Sequence, residues 1–242
     1  MMTSYLRADL WRGFHTKARL ILLTALMLVL AGILLYFRHD WVTLLEIEGI
    51  ACQRVLPLVL GVVEMAFIVG DDFGAKTFQC AIGRGMRRRD LVVSKYFSIS
   101  LFLLMDMAVE YLLFLAFYLC WGKSTMVSDL VCIMLICWFR MVVYMSIAMI
   151  PAFFLQGNLF GVMTYALLAP GVIEMLLNLF LNDERLQFLH LDRFLPGMIL
   201  NKLYTQTLLG LFDPKLILIA LLFVAGGMIA TWYLFRDIEL EF

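Results

Sequence analysis

Charged side chains are scarce in this sequence: Asp, Glu, Lys and Arg make up 16% of 242 residues, whereas 64% are hydrophobic. A water-soluble domain needs more polar surface than that, so the expected solvent is lipid. Histidine is nearly absent. His15, His39 and His190 all lie outside the long apolar runs, so no pair at membrane depth is left to hold a metal, and no metal site is expected. Neither Gly-x-Ser-x-Gly nor His-Glu-x-x-His occurs, which argues against an intramembrane hydrolase. An excess of either charge is also lacking, with 19 basic and 19 acidic residues, so nothing points to nucleic acid. Five cysteines (Cys52, Cys80, Cys120, Cys132, Cys137) show neither zinc nor redox spacing and read as small apolar helix residues. A phosphate-binding loop is missing too. Gly122-Lys123-Ser124 has the tail of one, but Phe117 stands where its first glycine belongs, so this chain is not expected to hydrolyse ATP itself.

What the sequence has in abundance is apolar length. Six runs, Leu20–Phe37, Val55–Val69, Tyr96–Cys120, Leu130–Phe154, Leu159–Leu181 and Leu216–Phe235, approach the roughly 20 residues a helix needs to cross hydrocarbon. They lack the alternation of barrel strands. The expected fold is therefore all-α and integral to the membrane, a single permease-sized unit over residues 1–242 with six spans. The first run ends in Tyr36-Phe37-Arg38 without a small-x-small site, so it reads as a retained anchor and not a cleaved leader.

Basic residues set the orientation. Arg7, Arg12, Lys17 and Arg19 precede the first span, and Lys76, Arg84, Arg87, Arg88, Arg89 and Lys95 join the second to the third. Both segments, and both termini, are expected on the cytoplasmic side of the cell membrane. The fifth loop fits less well, since four basic residues offset by four acidic ones fall outside. Within residues 1–19, Leu6, Leu10, Trp11 and Phe14 share a helical face away from Arg7, Arg12 and Lys17, the pattern of a helix lying in the membrane interface; a plain basic flank is the other reading. The outer segment 182–215 is rich in Phe and Leu and punctuated by Pro196-Gly197 and Asp213-Pro214, which predicts short helices packed at the outer surface.

The segment 71–95 carries the most information. Asp71 and Asp72 open it, suiting a helix N-terminus, and Phe73, Phe78, Ala81 and Ile82 recur at near-helical spacing. Gly83 and Gly85 allow a turn, and the arginines hold the mouth of the next span at an anionic leaflet. In an acidic pair, then Thr77, Gly85 eight positions later, Arg88 three beyond that, and Ser94-Lys95 opening the next span, this stretch resembles the cytoplasmic loop of type-2 ATP-binding-cassette exporter permeases. The likeness is to the small bacterial kind linked to bacteriocin, lantibiotic and drug efflux. At residue level it covers about 25 positions; in architecture it covers the whole chain. The triple Arg87-Arg88-Arg89 is denser than the family pattern and leaves open which arginine matches. The resemblance implies a coupling helix formed by Asp71, Asp72, Phe73, Thr77, Phe78, Gly85, Arg88 and Lys95, docking on a separate ATP-binding subunit. Two such subunits would carry ATP and Mg, with no cofactor on this chain. A second permease, identical or homologous, would complete the path, and the cargo would be an amphipathic peptide or antimicrobial.

Five ionisable residues fall inside the runs: Glu64, Asp106, Glu110, Arg140 and Glu174. At mid-bilayer each costs roughly 2.5–3.5 kcal/mol, so they should face the bundle or a wet cavity. Asp106 and Glu110 share a helical face, and Arg140 is the expected partner for one acid. The group either pairs only to fix packing, or its surplus acids line a route for cationic or amphipathic cargo or take up protons. An ATP-independent secondary transporter or channel is the alternative function. It predicts internal repeats or matched broken helices, and no repeat between residues 1–120 and 121–242 is evident in the sequence.

Overall fold

The structure is a computed structural model that describes residues 2–39, 49–74, 77–120, 127–181, 195–208, 211 and 213–236. It is all-helical, with no strand among the described residues, as befits a multi-pass membrane protein. An amphipathic helix α1 (Met2–His15) leads directly into α2 (Lys17–Tyr36). Next come α3 (Ala51–Val69), the short α4 (Gly70–Gly74) and α5 (Thr77–Gly83), and the long α6 (Arg88–Cys120). The chain continues through α7 (Val127–Phe154), α8 (Asn158–Leu168), α9 (Val172–Leu181), α10 (Pro196–Leu208) and α11 (Pro214–Arg236).

Five of these, α2, α3, α6, α7 and α11, are long and apolar enough to cross a bilayer. The expected fifth run, Leu159–Leu181, is not one continuous span. It breaks at Ala169–Gly171 into helices of 11 and 10 residues, α8 and α9. Pro170 supplies no amide to continue the ladder, and Gly171 takes φ +82°, a backbone state open to glycine. Boundaries shift as well. The second span begins at Ala51, four residues earlier than hydropathy implies, and α6 starts at Arg88, well before Tyr96.

Packing places α3 and α7 at the centre. More than half of the α3 span window is buried, 56%, against 17% for α2 and for α11, which face outward. The α3 helix is regular only over Leu56–Glu64; both ends, Ala51–Val55 and Met65–Val69, are wound as π-helix. Such winding loosens the regular backbone ladder and leaves carbonyls to side chains. Four neighbours use them: Cys52 O accepts from Cys137 Sγ, Gln53 O from Arg140, Ala66 O from Asn158 Nδ2, and Ile68 O from Lys95 Nζ. Small residues bring helices close elsewhere. A Cβ on Gly227 of α11 would lie 2.7 Å from the Ser146 carbonyl of α7, and Tyr96 links the same pair through Ser146 O and Thr231 Oγ1.

Contacts gather the α1 helix, α4, α5 and the C-terminal end of α11 at one end of the bundle, here the α1 end. There Phe73, Phe78, Phe153 and Phe235 form an aromatic knot, with centroids 4.8–5.3 Å apart for the pairs Phe73–Phe78, Phe78–Phe153 and Phe153–Phe235. The α10 helix lies at the other end, burying Leu195, Ile199, Leu200 and Leu203. A short helix does form within the expected segment 182–215; Phe188, Leu189, Leu191 and Phe194 of the same segment lie outside the described residues.

Candidate functional site

Helix α1 turns its polar side toward the bundle and leaves part of its apolar face open. Asp9 and Gly13 are its buried residues, while Trp11 and Phe14 are exposed. Gly13 is required there, because a Cβ would meet the Phe102 ring of α6 at 2.4 Å. This rotation delivers Asp9 to Lys95, buried on α6, whose Nζ donates to Asp9 Oδ1 at 2.6 Å. Lys95 also pairs with Asp72, and Arg12 closes the ring by donating to both Asp9 (2.8 Å) and Asp72. The Tyr5 hydroxyl reaches Asp72 Oδ2 at 3.3 Å. Two acids and two bases thus tie α1, α4 and α6 together with balanced charge. Burial weighs against the Arg12 charge, but its hydrogen bond to Asp72 and the charges of Asp72 and Asp9 outweigh this and raise its pKa. Burial, and then Asp72 and Asp9, push the Tyr5 phenol far above its ordinary value.

Two expectations for the 71–95 segment need correcting. The acidic pair does not cap a new helix: α4 continues the right-handed backbone of α3 through Gly70, and the next helix starts at Thr77. Asp72 is committed to Lys95 and Arg12 instead, and the side chain of Asp71 lies outside the described residues. Phe78 is not at the surface. It is 1% exposed, inside the aromatic knot, while Phe73 is half-buried against it. The exposed tip comprises Cys80, Gly83, Arg84, Gly85, Arg87 and Arg89, with Gly85 at φ +89° making the turn. The arginine triplet divides by direction. Arg88 turns inward, donating to the Phe235 and Arg236 carbonyls and lying 5.4 Å over the Phe235 ring, whereas Arg87 and Arg89 face out.

The membrane acids form a second cluster, and its cation is Arg19 rather than Arg140. Arg19 is 2% exposed, donates through Nε to Glu64 Oε1 (2.6 Å) and through Nη2 to Asp106 Oδ1 (2.8 Å), and stacks 4.5 Å over Phe102. The Glu64 and Asp106 carboxyls are also within hydrogen-bond reach of each other, while both Glu110 oxygens are buried without a hydrogen-bond partner. Glu110 sits one turn beyond Asp106 beside a cavity lined by Cys52, Leu56, Met107 and Phe114, with room for about one water molecule. Arg140 does other work: it holds Gln53 O at 2.8 Å and Asn201 Oδ1 at 2.6 Å, joining α3, α7 and α10. Glu174 accepts from the Gly197 amide, and any Cβ on Gly197 would strike its carboxylate. The five membrane residues are therefore split between a core acid cluster and clasps for α10.

The arrangement joins an exposed basic tip, through a buried ion ring, to an acid-rich centre between α2, α3 and α6. No protein-family model matches the chain, and no curated protein matches it.

Proposed function

We propose that this chain is the membrane-spanning permease subunit of an ATP-driven exporter, working with a separate ATP-binding subunit and a second permease in the cell membrane. The observation that carries the reading is the pairing of an exposed tip with a firmly held root in the described residues of the 70–95 segment. Its tip is exposed and basic at Arg84, Arg87 and Arg89, while its root is fixed to α1, α3 and α6 by Asp72 and Lys95. A partner pushing on the tip would move the helices that enclose Arg19, Glu64 and Asp106. In this reading the α1 end is cytoplasmic with both termini, and α8 and α9 together make a broken sixth crossing. ATP and Mg belong to the partner, and this chain supplies no hydrolytic group. The cargo is an amphipathic peptide or antimicrobial moved outward, an assignment resting on the family resemblance alone.

Co-purification tests it. An ATPase should travel with the wild-type chain and be lost from Arg84→Glu/Arg87→Glu/Arg89→Glu, whose fold should survive because those side chains are exposed. A triple variant that keeps its ATPase sinks the docking site. One observation favours the secondary-transporter alternative: the α8–α9 break resembles the discontinuous helices of such proteins. Transport in vesicles that stops on collapsing the proton gradient, and ignores ATP, would decide for it.

A further inference from the structure

Four ionisable side chains meet at the centre of the bundle: Arg19 of α2, Glu64 of α3, and Asp106 and Glu110 of α6, none more than 5% exposed. Their charges do not balance, since three carboxyls face one guanidinium. Arg19 donates to one oxygen of Glu64 at 2.6 Å and to one of Asp106 at 2.8 Å, and the two carboxyls lie within hydrogen-bond reach of each other. Two carboxylates at that range only repel; a hydrogen bond between them needs a proton on one. Glu110, one turn beyond Asp106, has both oxygens buried with no hydrogen-bond partner among the described residues. An ionised carboxylate alone in such a site costs far more than a neutral carboxyl. Among the described residues, no neighbour supplies the missing positive charge. Arg140 is turned to Gln53 O and Asn201, and on the α1 side Lys95 and Arg12 are matched by Asp9 and Asp72. His15 and Lys17, at the turn from α1 to α2, are exposed. Cys137 of α7, whose thiol donates to Cys52 O, and Tyr165 of α8, whose phenol donates to Pro57 O, bring no positive charge. Nor does Tyr111, which lines the small cavity beside Glu110.

We propose that this core is a proton-binding site, with one proton shared between Glu64 and Asp106 and a second on Glu110. Two protons leave the cluster neutral, with one carboxylate facing Arg19, the state that a low-dielectric interior favours. The cavity beside Glu110, with room for about one water molecule, is the nearest point at which a proton can be passed on. Parting α2 from α6 would wet the acids and release both protons at neutral pH, since a carboxyl in water is ionised there. Helix movement and proton release are then linked in one equilibrium. The inference goes beyond the permease reading and does not need it. The protons are held whether ATP or a gradient drives the helices apart.

The test uses the full chain in phosphatidylcholine nanodiscs and reads the infrared carbonyl band of protonated carboxyls, which carboxylates lack and which shifts in D2O. At about pH 7 carboxyls in water are ionised, so the band reports buried acids. Wild-type protein should show it. Glu110→Gln and Glu64→Gln should each remove an equal part of the band, and the double variant the sum of both. Each substitution puts a neutral amide where the proposal puts a protonated carboxyl, and in Glu64→Gln the remaining Asp106 carboxylate keeps Arg19 as its partner, so the fold should survive. Unfolding in dodecyl sulfate, in weak buffer with a pH dye, should release about two protons fewer per chain from the double variant than from wild type. A wild-type chain without a D2O-sensitive band would overturn the proposal, whatever the variants do. A band untouched by both substitutions would place the protons elsewhere and overturn it too. Loss in Glu110→Gln alone would overturn the shared Glu64–Asp106 proton, and loss in Glu64→Gln alone would overturn the proton on Glu110.

Discussion

Lys95 Nζ lies 2.6 Å from Asp9 Oδ1 across 86 positions of sequence, both side chains buried where α1 crosses the root of α6. The contact makes the amphipathic N-terminal helix part of the bundle and not only a float on the membrane. Removing one member of a buried ion group costs more than the group contributes net, because the partner charge stays desolvated. Lys95→Ala should therefore destabilise the fold by roughly 3–5 kcal/mol, read as a fall in the thermal midpoint of the purified protein. A midpoint within error of wild type would mean that the ring does not hold α1 in place.

Tyr5 gives the same ring a pH signature. Its phenol stays protonated far above its ordinary value because burial and two nearby carboxylates oppose a phenolate. An unfolded chain releases that proton near pH 10 or so. Above that pH the unfolded state binds fewer protons than the folded one, so stability is complete below it and falls as pH rises. Thermal midpoints between about pH 9 and pH 11 should decline less steeply in Tyr5→Phe than in wild type. Equal slopes would place Tyr5 in water.

Arg19 is predicted to matter more for folding than Arg140. Arg19→Gln strands Glu64 and Asp106 together in a low-dielectric core, whereas Arg140 bonds a carbonyl and an amide. Arg19→Gln should cost several kcal/mol, on the order of 3–5, and adding Glu64→Gln should restore part of the loss. Folded yield and thermal midpoint measure both. If Arg140→Gln proves the more damaging, the acid cluster does not depend on Arg19.

Hydropathy made the helical, membrane-spanning nature of the chain legible, because runs such as Leu130–Phe154 leave no other solvent for the backbone. It missed Arg19 for a physical reason. The residue sits just before the first apolar run and counts there as a topology-setting charge, yet the helix begins at Lys17 and its guanidinium turns into the bundle. Asp9 was equally opaque, since one acid on an amphipathic helix looks solvated until the partner helix is known. Phe78 had the right spacing for a docking face but the wrong direction, which is fixed by Phe153 and Phe235 far along the chain. A proline in an apolar run, such as Pro170, is compatible with a kinked but continuous span; only Gly171 at φ +82° separates a kink from two helices.

Helix proximity at the centre of the fold can be probed by glycine. A Cβ on Gly61 of α3 would fall 1.9 Å from the Tyr165 ring of α8, whose hydroxyl donates to Pro57 O at 2.7 Å. Gly61→Ala should cost about 1–3 kcal/mol through overpacking, and Tyr165→Phe roughly 0.5–1.5 through the lost hydrogen bond. Gly226→Ala, with nothing within 4 Å of the added methyl, is the control and should be silent. A silent Gly61→Ala would separate α8 from α3.

Orientation has a direct chemical test in the cysteines. Cys80 is exposed on the arginine-bearing tip at the α1 end, and Cys120 is exposed at the far end of the 33-residue helix α6. A helix of that length, about 50 Å at 1.5 Å per residue, is long enough to set its two ends on opposite sides of a bilayer. In intact cells carrying one cysteine at a time, a membrane-impermeant maleimide should label Cys120 and spare Cys80 until the cells are opened. The reverse pattern would turn the arginine tip outward, away from every cytoplasmic ATPase, and the exporter reading would fall with it. Labelling of both in intact cells would show that α6 does not cross, since no water-soluble reagent reaches both faces of a closed membrane.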